Sequence, residues 1–170
     1  MKISTQTRYA MRILLELATH ADEHGRITAK QIAARQKISE KYLEAIASKL
    51  TRARYINSMK GVGGGYQLNR PAEQIRLGEI MELMETTYFE VHCSPNESKN
   101  CAMYKHCCMY KFFTELREVI DQKMYGTTLA DLCAQQRKLD DDYFEVEQIS
   151  PNGTDKLAET EVYHYDLPAK

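Results

Sequence analysis

No apolar run in the 170 residues reaches the roughly 18 needed to cross a bilayer, which argues against a membrane protein. Met1-Lys2-Ile3-Ser4-Thr5 lacks the apolar core of a secretion signal. The expected compartment is therefore the reducing cytoplasm, where clustered thiols serve metals or redox chemistry more often than structural disulfides. The odd cysteine count of five agrees. No Cys-x2–4-Cys pair exists, against a structural zinc site. No Cys-x-x-Cys lies in a βαβ pattern and no cofactor motif is found, against a small redox enzyme; the chain reads as a non-enzyme. Internal repeats are absent. The length suits one domain plus an appendage, and 43% hydrophobic with 28% charged residues is an ordinary globular balance.

Net charge is almost absent, at −1, but it is unevenly distributed. Residues 1–76 hold 14 Lys/Arg against 6 Asp/Glu, and the remainder holds 9 against 18. A basic half beside an acidic half suggests a polyanion partner for the first, although an uneven solvated surface explains the charge alone equally well.

What is present is mainly helical. Tyr9, Ile13, Leu14 and Leu17 recur at helical spacing and predict a helix over Thr7–His20. Thr28-Ala29-Lys30-Gln31 has the form of a capping box and opens a short helix to Gln36. Lys37-Ile38 make a turn, and Ser39 caps a third helix to about Ala53, with Leu43, Ile46, Ala47 and Leu50 inward. Two short helices so tightly joined read as a helix-turn-helix, or else as an ordinary helical hairpin. Strands over Tyr55–Ser58 and Tyr66–Asn69 follow. Four glycines (Gly61, Gly63, Gly64, Gly65) fall within five positions between them, and glycine permits positive φ and close backbone approach. A phosphate-cradling nucleotide loop fails here, because no Gly-Lys-Ser/Thr ending exists and a strand follows rather than a helix. The hairpin therefore reads as a wing.

Leu77–Glu85 is a further short helix. A cysteine loop, about His92–Cys108, precedes a long helix over Tyr110–Tyr125 whose Phe112, Phe113, Leu116, Val119, Ile120 and Met124 make a wide apolar face needing a partner surface. Thr128 caps a last helix to about Gln136. The fold class expected is mainly α with a small β wing: a winged helix-turn-helix plus a long dimerisation helix. The expected division is residues 1–88 as the DNA-binding domain, 89–109 as the cysteine loop, 110–137 as dimerisation and terminal helices, and 138–170 as an acidic, largely disordered tail beginning near Asp140-Asp141-Asp142.

Four of the five cysteines fall within 16 residues, spaced Cys93-x7-Cys101-x5-Cys107 with Cys108 next. Thiolates so close can meet at a soft metal centre, and the polar residues around them speak against a buried thiol set. Thiol redox without metal stays open, since Cys107 and Cys108 can act as attacking and resolving groups. Cys133, on the last helix, reads as packing. Tyr88, Phe89, Tyr104 and Tyr110 flank the loop and suit the exclusion of water from it. For DNA, the candidates are Thr28, Ser39, Glu40, Lys41, Tyr42, Glu44 and Lys49 on the helix-turn-helix, with Lys60, Gly61 and Gly64 at the wing. A carboxylate such as Glu44 can accept from a cytosine amino group, and lysines can meet guanine or phosphate. Lys60 suits a narrow minor groove. Each of these side chains has the plain alternative of being solvated.

Met1-Lys2-Ile3-Ser4 with Arg8-Tyr9-Ala10, then Ser39-x-x-Tyr42-Leu43-Glu44, then Gly63-Gly64-Gly65-Tyr66, resembles the Rrf-two family of winged-helix regulators, whose best-known type is the bacterial iron–sulfur cluster regulator. The resemblance covers about residues 1–137. It implies a homodimer on a partly palindromic operator in double-stranded DNA, with the long helix crossing its mate. It also implies an iron–sulfur cluster, two-iron or four-iron, on Cys93, Cys101 and Cys107. The fourth ligand departs from the family pattern. Tyr110 stands where the type member has histidine, and Arg8 where others carry an acidic residue. Cys108, His106 and His92 are local substitutes. Members of the family without the cysteines imply the alternative: a metal-free regulator answering thiol oxidation, a metabolite or a protein partner.

Overall fold

Each of the first three helices is opened by a hydroxyl that caps its free amides. In the computed structural model, which describes residues 3–21, 25–61, 63–85 and 101–149 (backbone alone for 141–149), Ser4 accepts from the Thr7 amide. α1 (Thr5–Thr19) therefore begins two residues before the expected Thr7. The predicted capping box between Thr28 and Gln31 opens α2 (Ala29–Gln36). Lys37 ends it in the left-handed region, φ 53°, which turns the chain sharply into Ser39 and α3 (Glu40–Arg52). Leu43, Ile46, Ala47 and Leu50 of α3 are buried against Ala10, Ile13, Leu14 and Leu17 of α1, so both stripes face one core.

The wing is antiparallel: β1 (Ile56–Met59) pairs with β2 (Gly65–Leu68), with Ile56 opposite Leu68 and Met59 opposite Gly65. The strands lie one residue from their expected positions. Ile27 pairs with the other edge of β2, its amide on Tyr66 O at 3.0 Å and its carbonyl accepting from the Tyr66 amide at 2.9 Å. A single-residue pairing has no periodicity, so the sequence carries no sign of it. It also explains Gly65, where a Cβ would sit 2.5 Å from Ile27 O.

α4 (Leu77–Met84), α5 (Cys108–Gly126) and α6 (Leu129–Ile149) complete the described elements. Three expectations change here. α5 begins at Cys108, so that residue belongs to the helix and not to the 89–109 loop. α6 continues through 137–149, where the acidic tail was expected to begin. Residues 110–137 do not stand apart from the winged unit. Leu129 and Cys133 lie in its core, and the main chain is stitched by Leu77 N to Thr127 O at 3.0 Å and Leu129 N to Ile75 O at 2.8 Å. Met1–Gln136 is accordingly one compact unit and Arg137–Lys170 another.

α5 divides its apolar residues between two sides. Phe113, Ile120 and Met124 pack on Met81 of α4, while Met109, Phe112, Leu116 and Val119 are exposed. Gly78 of α4 admits the α5 end: a Cβ there would lie 2.8 Å from the Tyr125 ring. Gly78→Ala is expected to cost about 1–3 kcal/mol through overpacking, despite the better helix propensity of alanine. The check is the urea midpoint; an unchanged or higher midpoint would show that the ring simply moves aside.

Candidate nucleic-acid interface and cysteine segment

The helix-turn-helix leaves Ser39, Glu40, Lys41 and Glu44 exposed along one side of α3. Burial of Leu43, Ile46, Ala47 and Leu50 dictates this, because an α-helix that commits one stripe to the core must present the opposite one. Tyr42 is half-buried, edge-on to Tyr9 of α1 at 5.8 Å between ring centres. Lys49 was expected on or near the exposed faces of this helix. It is half-buried, and its Nζ donates to Gln6 Oε1 at 2.8 Å, because the last turns of α3 pass beside the start of α1. The Thr28 hydroxyl is occupied by the cap, accepting from Gln31 N at 3.2 Å and donating to Gln31 Oε1 at 2.7 Å.

At the wing, Lys60 and Gly61 are exposed, and the Gly64 amide bonds Gly61 O at 2.9 Å. Gly61 takes φ 99° and Gly63 φ 75°, conformations costly for other residues. Gly64 serves the turn itself: a Cβ there would fall 2.4 Å from Met59 O. The wing adjoins α3. Burial, and secondarily the negative charge of Glu44, push the Tyr66 hydroxyl above its ordinary pKa. At the wing base, Tyr55 donates to Glu79 at 2.9 Å beneath the Arg70 guanidinium, and burial with that bond pushes its hydroxyl up to about 12. Arg26 was not singled out from the sequence, yet its Nη1 lies 3.5 Å from Gly63 O and 3.6 Å from Met59 Sδ. The pairing of Ile27 with β2 brings it there.

Of the proposed cysteine ligands, Cys101 is exposed and Cys107 half-buried, and both are free thiols. A 3-10 turn, Tyr104–His106, separates them, with Tyr104 N on Cys101 O at 3.3 Å and Cys107 N on Tyr104 O at 3.5 Å. Cys107 is the N-cap residue of α5. Cys108 and His106 are exposed beside it, and Tyr104 meets Tyr110 edge-on at 5.7 Å. Cys133 is buried in the core. Cys93, His92, Tyr88 and Phe89 lie outside the described residues, and among those described no three metal-binding side chains converge. The two described loop thiols fit an iron–sulfur donor set in kind: they are uncommitted to disulfides and lie outside the apolar core.

Glu85, the last described residue before the cysteine loop, is tied to the start of α1. It accepts from Ser4 N at 2.7 Å and from the Thr7 hydroxyl. The bonds from Thr7 and Ser4 hold its carboxyl below the usual range. Stability from this tie is therefore present above the unfolded carboxylate pKa and is lost as pH falls through the lowered folded value.

The family model for Rrf2, an iron-dependent transcriptional regulator, matches residues 3–135. The protein rrf2 of Nitratidesulfovibrio vulgaris is 38% identical over 132 residues, which are 78% of this chain and 87% of that protein. The regulator IscR of Cereibacter sphaeroides is 44% identical over 100 residues, 58% of this chain and 64% of its own length. The structure of CymR, the global cysteine regulator of B. subtilis, superposes with a TM-score of 0.67 at 29% identity, covering 79% of this chain and 98% of that one. A winged helix-turn-helix and matches of this extent agree: the chain belongs to the Rrf2 family of DNA-binding transcriptional regulators.

Proposed function

We propose that the chain acts as a homodimer on a partly palindromic operator, with its affinity for that operator set by an iron–sulfur cluster held through Cys93, Cys101 and Cys107. The observation that carries this reading is the position of the thiols just ahead of α5, with Cys107 as its N-cap and Cys101 before the short 3-10 turn. Cys101 and Cys107 stand at its head, its exposed stripe follows, and its foot is stitched into the core of the DNA-binding unit. A ligand at the head of α5 therefore acts on a helix that packs on Met81 of α4 and leads into the core shared with α3. Bound there, the cluster supplies a centre whose redox state and integrity answer oxygen, nitric oxide or iron supply. Cys108, His106 and His92 are the candidates for a fourth ligand. A ligand shifts operator affinity only through its different affinity for the DNA-competent and incompetent arrangements. Iron and sulfide analysis of protein purified without oxygen, with absorbance and spin-resonance spectra, tests the reading. Colourless, iron-free protein that still binds its operator would favour the metal-free alternative. Cys107 and Cys108, adjacent and accessible, are then the thiols to examine for oxidation.

On DNA, Ser39, Glu40, Lys41, Tyr42 and Glu44 enter the major groove, and Lys60 with Gly61 follows the neighbouring minor groove. Lys60→Ala is expected to weaken binding and reduce the salt slope of log K by about one unit. Glu44→Ala instead alters preference at one base per half-site. Salt titrations and a sequence-selection experiment separate the two. An unchanged slope for the first, or unchanged preferences for the second, removes that residue from the interface.

A further inference from the structure

α3 passes into the wing through a turn that ordinarily takes glycine. Arg54 N donates to Thr51 O at 3.0 Å and Tyr55 N to Leu50 O at 3.0 Å. That pair of bonds marks a helix ending in which the residue after the cap adopts the left-handed region, most often as glycine. Here that residue is Arg54, at φ 60°, a conformation that a Cβ disfavours. The turn is held from the far end of the hairpin. Asn69 and Arg70, the first two residues after β2, both reach back to it. Asn69 Nδ2 donates to Arg54 O at 3.0 Å, and Arg70 Nε donates to the same oxygen at 3.3 Å. Arg70 Nη2 donates to Ala53 O at 3.4 Å, and the Asn69 main-chain amide to Tyr55 O at 2.9 Å. Both side chains are themselves fixed. Asn69 Oδ1 accepts from Asn57 Nδ2 at 2.7 Å. The Arg70 guanidinium lies 4.3 Å from the centre of the Tyr55 ring, and its Nη1 is 3.6 Å from the Glu79 oxygen that accepts from the Tyr55 hydroxyl.

We propose that Asn69 and Arg70 are positioning residues for operator binding. By holding the turn between α3 and β1, they fix the direction of the wing relative to the recognition helix, so that Lys60 meets the duplex while α3 reads it. They act through Lys60 and not by touching DNA. The physical reason is leverage. At about 3.3 Å per residue the arm from Tyr55 to Lys60 is about 16 Å long, so a swing of about 10° at its base carries Lys60 about 3 Å, enough to break a hydrogen bond. Ile27 braces β2 at Tyr66, and a single brace leaves a pivot. The bonds of Asn69 and Arg70 at the base supply a second point, and two points fix a direction. Charge is not the agent. Asn69 is neutral, and the Arg70 guanidinium is directed at Ala53 O, Arg54 O and Glu79.

This inference rests on the DNA-binding reading and on the wing contact of Lys60, and the test keeps the three separate. Operator affinity of the full-length protein is measured across salt concentrations for the parent, Lys60→Ala, Asn69→Ala, Arg70→Lys and the two double variants that add Lys60→Ala. Circular dichroism confirms the fold of each. Asn69 is exposed and the Arg70 side chain is 34% exposed, so neither change opens the core. Asn57→Ala, which loosens Asn69 without altering the turn, replaces either variant that does not fold. Neither Asn69→Ala nor Arg70→Lys removes a charge, so a purely structural role would leave the salt slope of the folded protein unchanged. Each is instead expected to flatten that slope by about one unit, as Lys60→Ala does, because Lys60 withdraws from the duplex. Adding Lys60→Ala to either should change nothing further, whereas independent sites would add. The base preference assigned to Glu44 should persist in both. A parental slope in one folded variant removes that residue from the role, and in both it overturns the inference. A full effect of Lys60→Ala in both backgrounds overturns it as well. Parent protein that binds no operator refutes the DNA-binding reading, and a parental slope in Lys60→Ala refutes the wing contact; the inference falls with either.

Discussion

Cys101→Ala and Cys107→Ala, purified without oxygen, are each expected to lose most of their iron, and Cys133→Ala to keep it. Iron–sulfur clusters are held by cysteine thiolates, so removing one of three protein thiolates releases the centre or leaves a fragile remnant. Cys101 and Cys107 lie on either side of one short turn outside the core, whereas Cys133 is enclosed by apolar neighbours. Operator affinity should move with the iron, by about 5- to 150-fold, the usual range for coupling between two sites. Full iron content in Cys101→Ala would show that the triad is wrong. Loss of iron with every operator bound as by the parent would show that the cluster is not the switch. Cys108→Ala belongs in the same series, because partial iron loss there nominates it as the fourth ligand.

The second large effect concerns α5. Met109, Phe112, Leu116 and Val119 recur at spacings of three, four and three residues and remain exposed, Val119 to 62%. None of the described elements covers this stripe, and in the proposed homodimer it is the seam of a helix pair. A two-fold pair through this seam places two recognition helices about one DNA turn, roughly 34 Å, apart or a multiple of it. Leu116→Glu puts a charge on the seam without entering the Met81 cluster on the other side of the helix. It is expected to yield a folded monomer whose operator affinity falls by about 10²- to 10⁴-fold, since two linked half-site contacts become one. Light scattering at micromolar concentration reads the first result and an operator titration the second. A variant that stays dimeric, or a parent that is monomeric, rejects this seam.

Much of the framework of the candidate site was legible because its signals are local. A hydroxyl at a helix start, glycines in a tight loop and apolar residues every three or four positions each express backbone physics over a few residues. Thr28, Ser39, the α3 stripe and the wing glycines were therefore placed within a residue or two. Arg26 was missed for the opposite reason. Its neighbourhood depends on Ile27 pairing with Tyr66, 39 positions away along the chain, and one pair of main-chain bonds leaves no pattern. The bond of Lys49 to Gln6 left no mark either, because the two residues belong to different helices. The long apolar face of α5 was visible, but not its division between α4 and solvent.

The sequence by itself determined the order of elements, the helix-turn-helix with its wing, and the clustering of four cysteines in the stretch that leads into a long helix. Periodicity and capping are properties of the neighbouring chain and need no distant partner. Only the tertiary structure decided that Leu129 and Cys133 join the winged core, that Glu85 is fastened onto Ser4 and Thr7, and that Ile27 pairs with Tyr66 at the edge of the wing. Each of these brings together residues far apart in the chain. Such contacts arise from burying apolar surface and satisfying polar groups in three dimensions, and the one-dimensional pattern holds no record of which distant partners will meet.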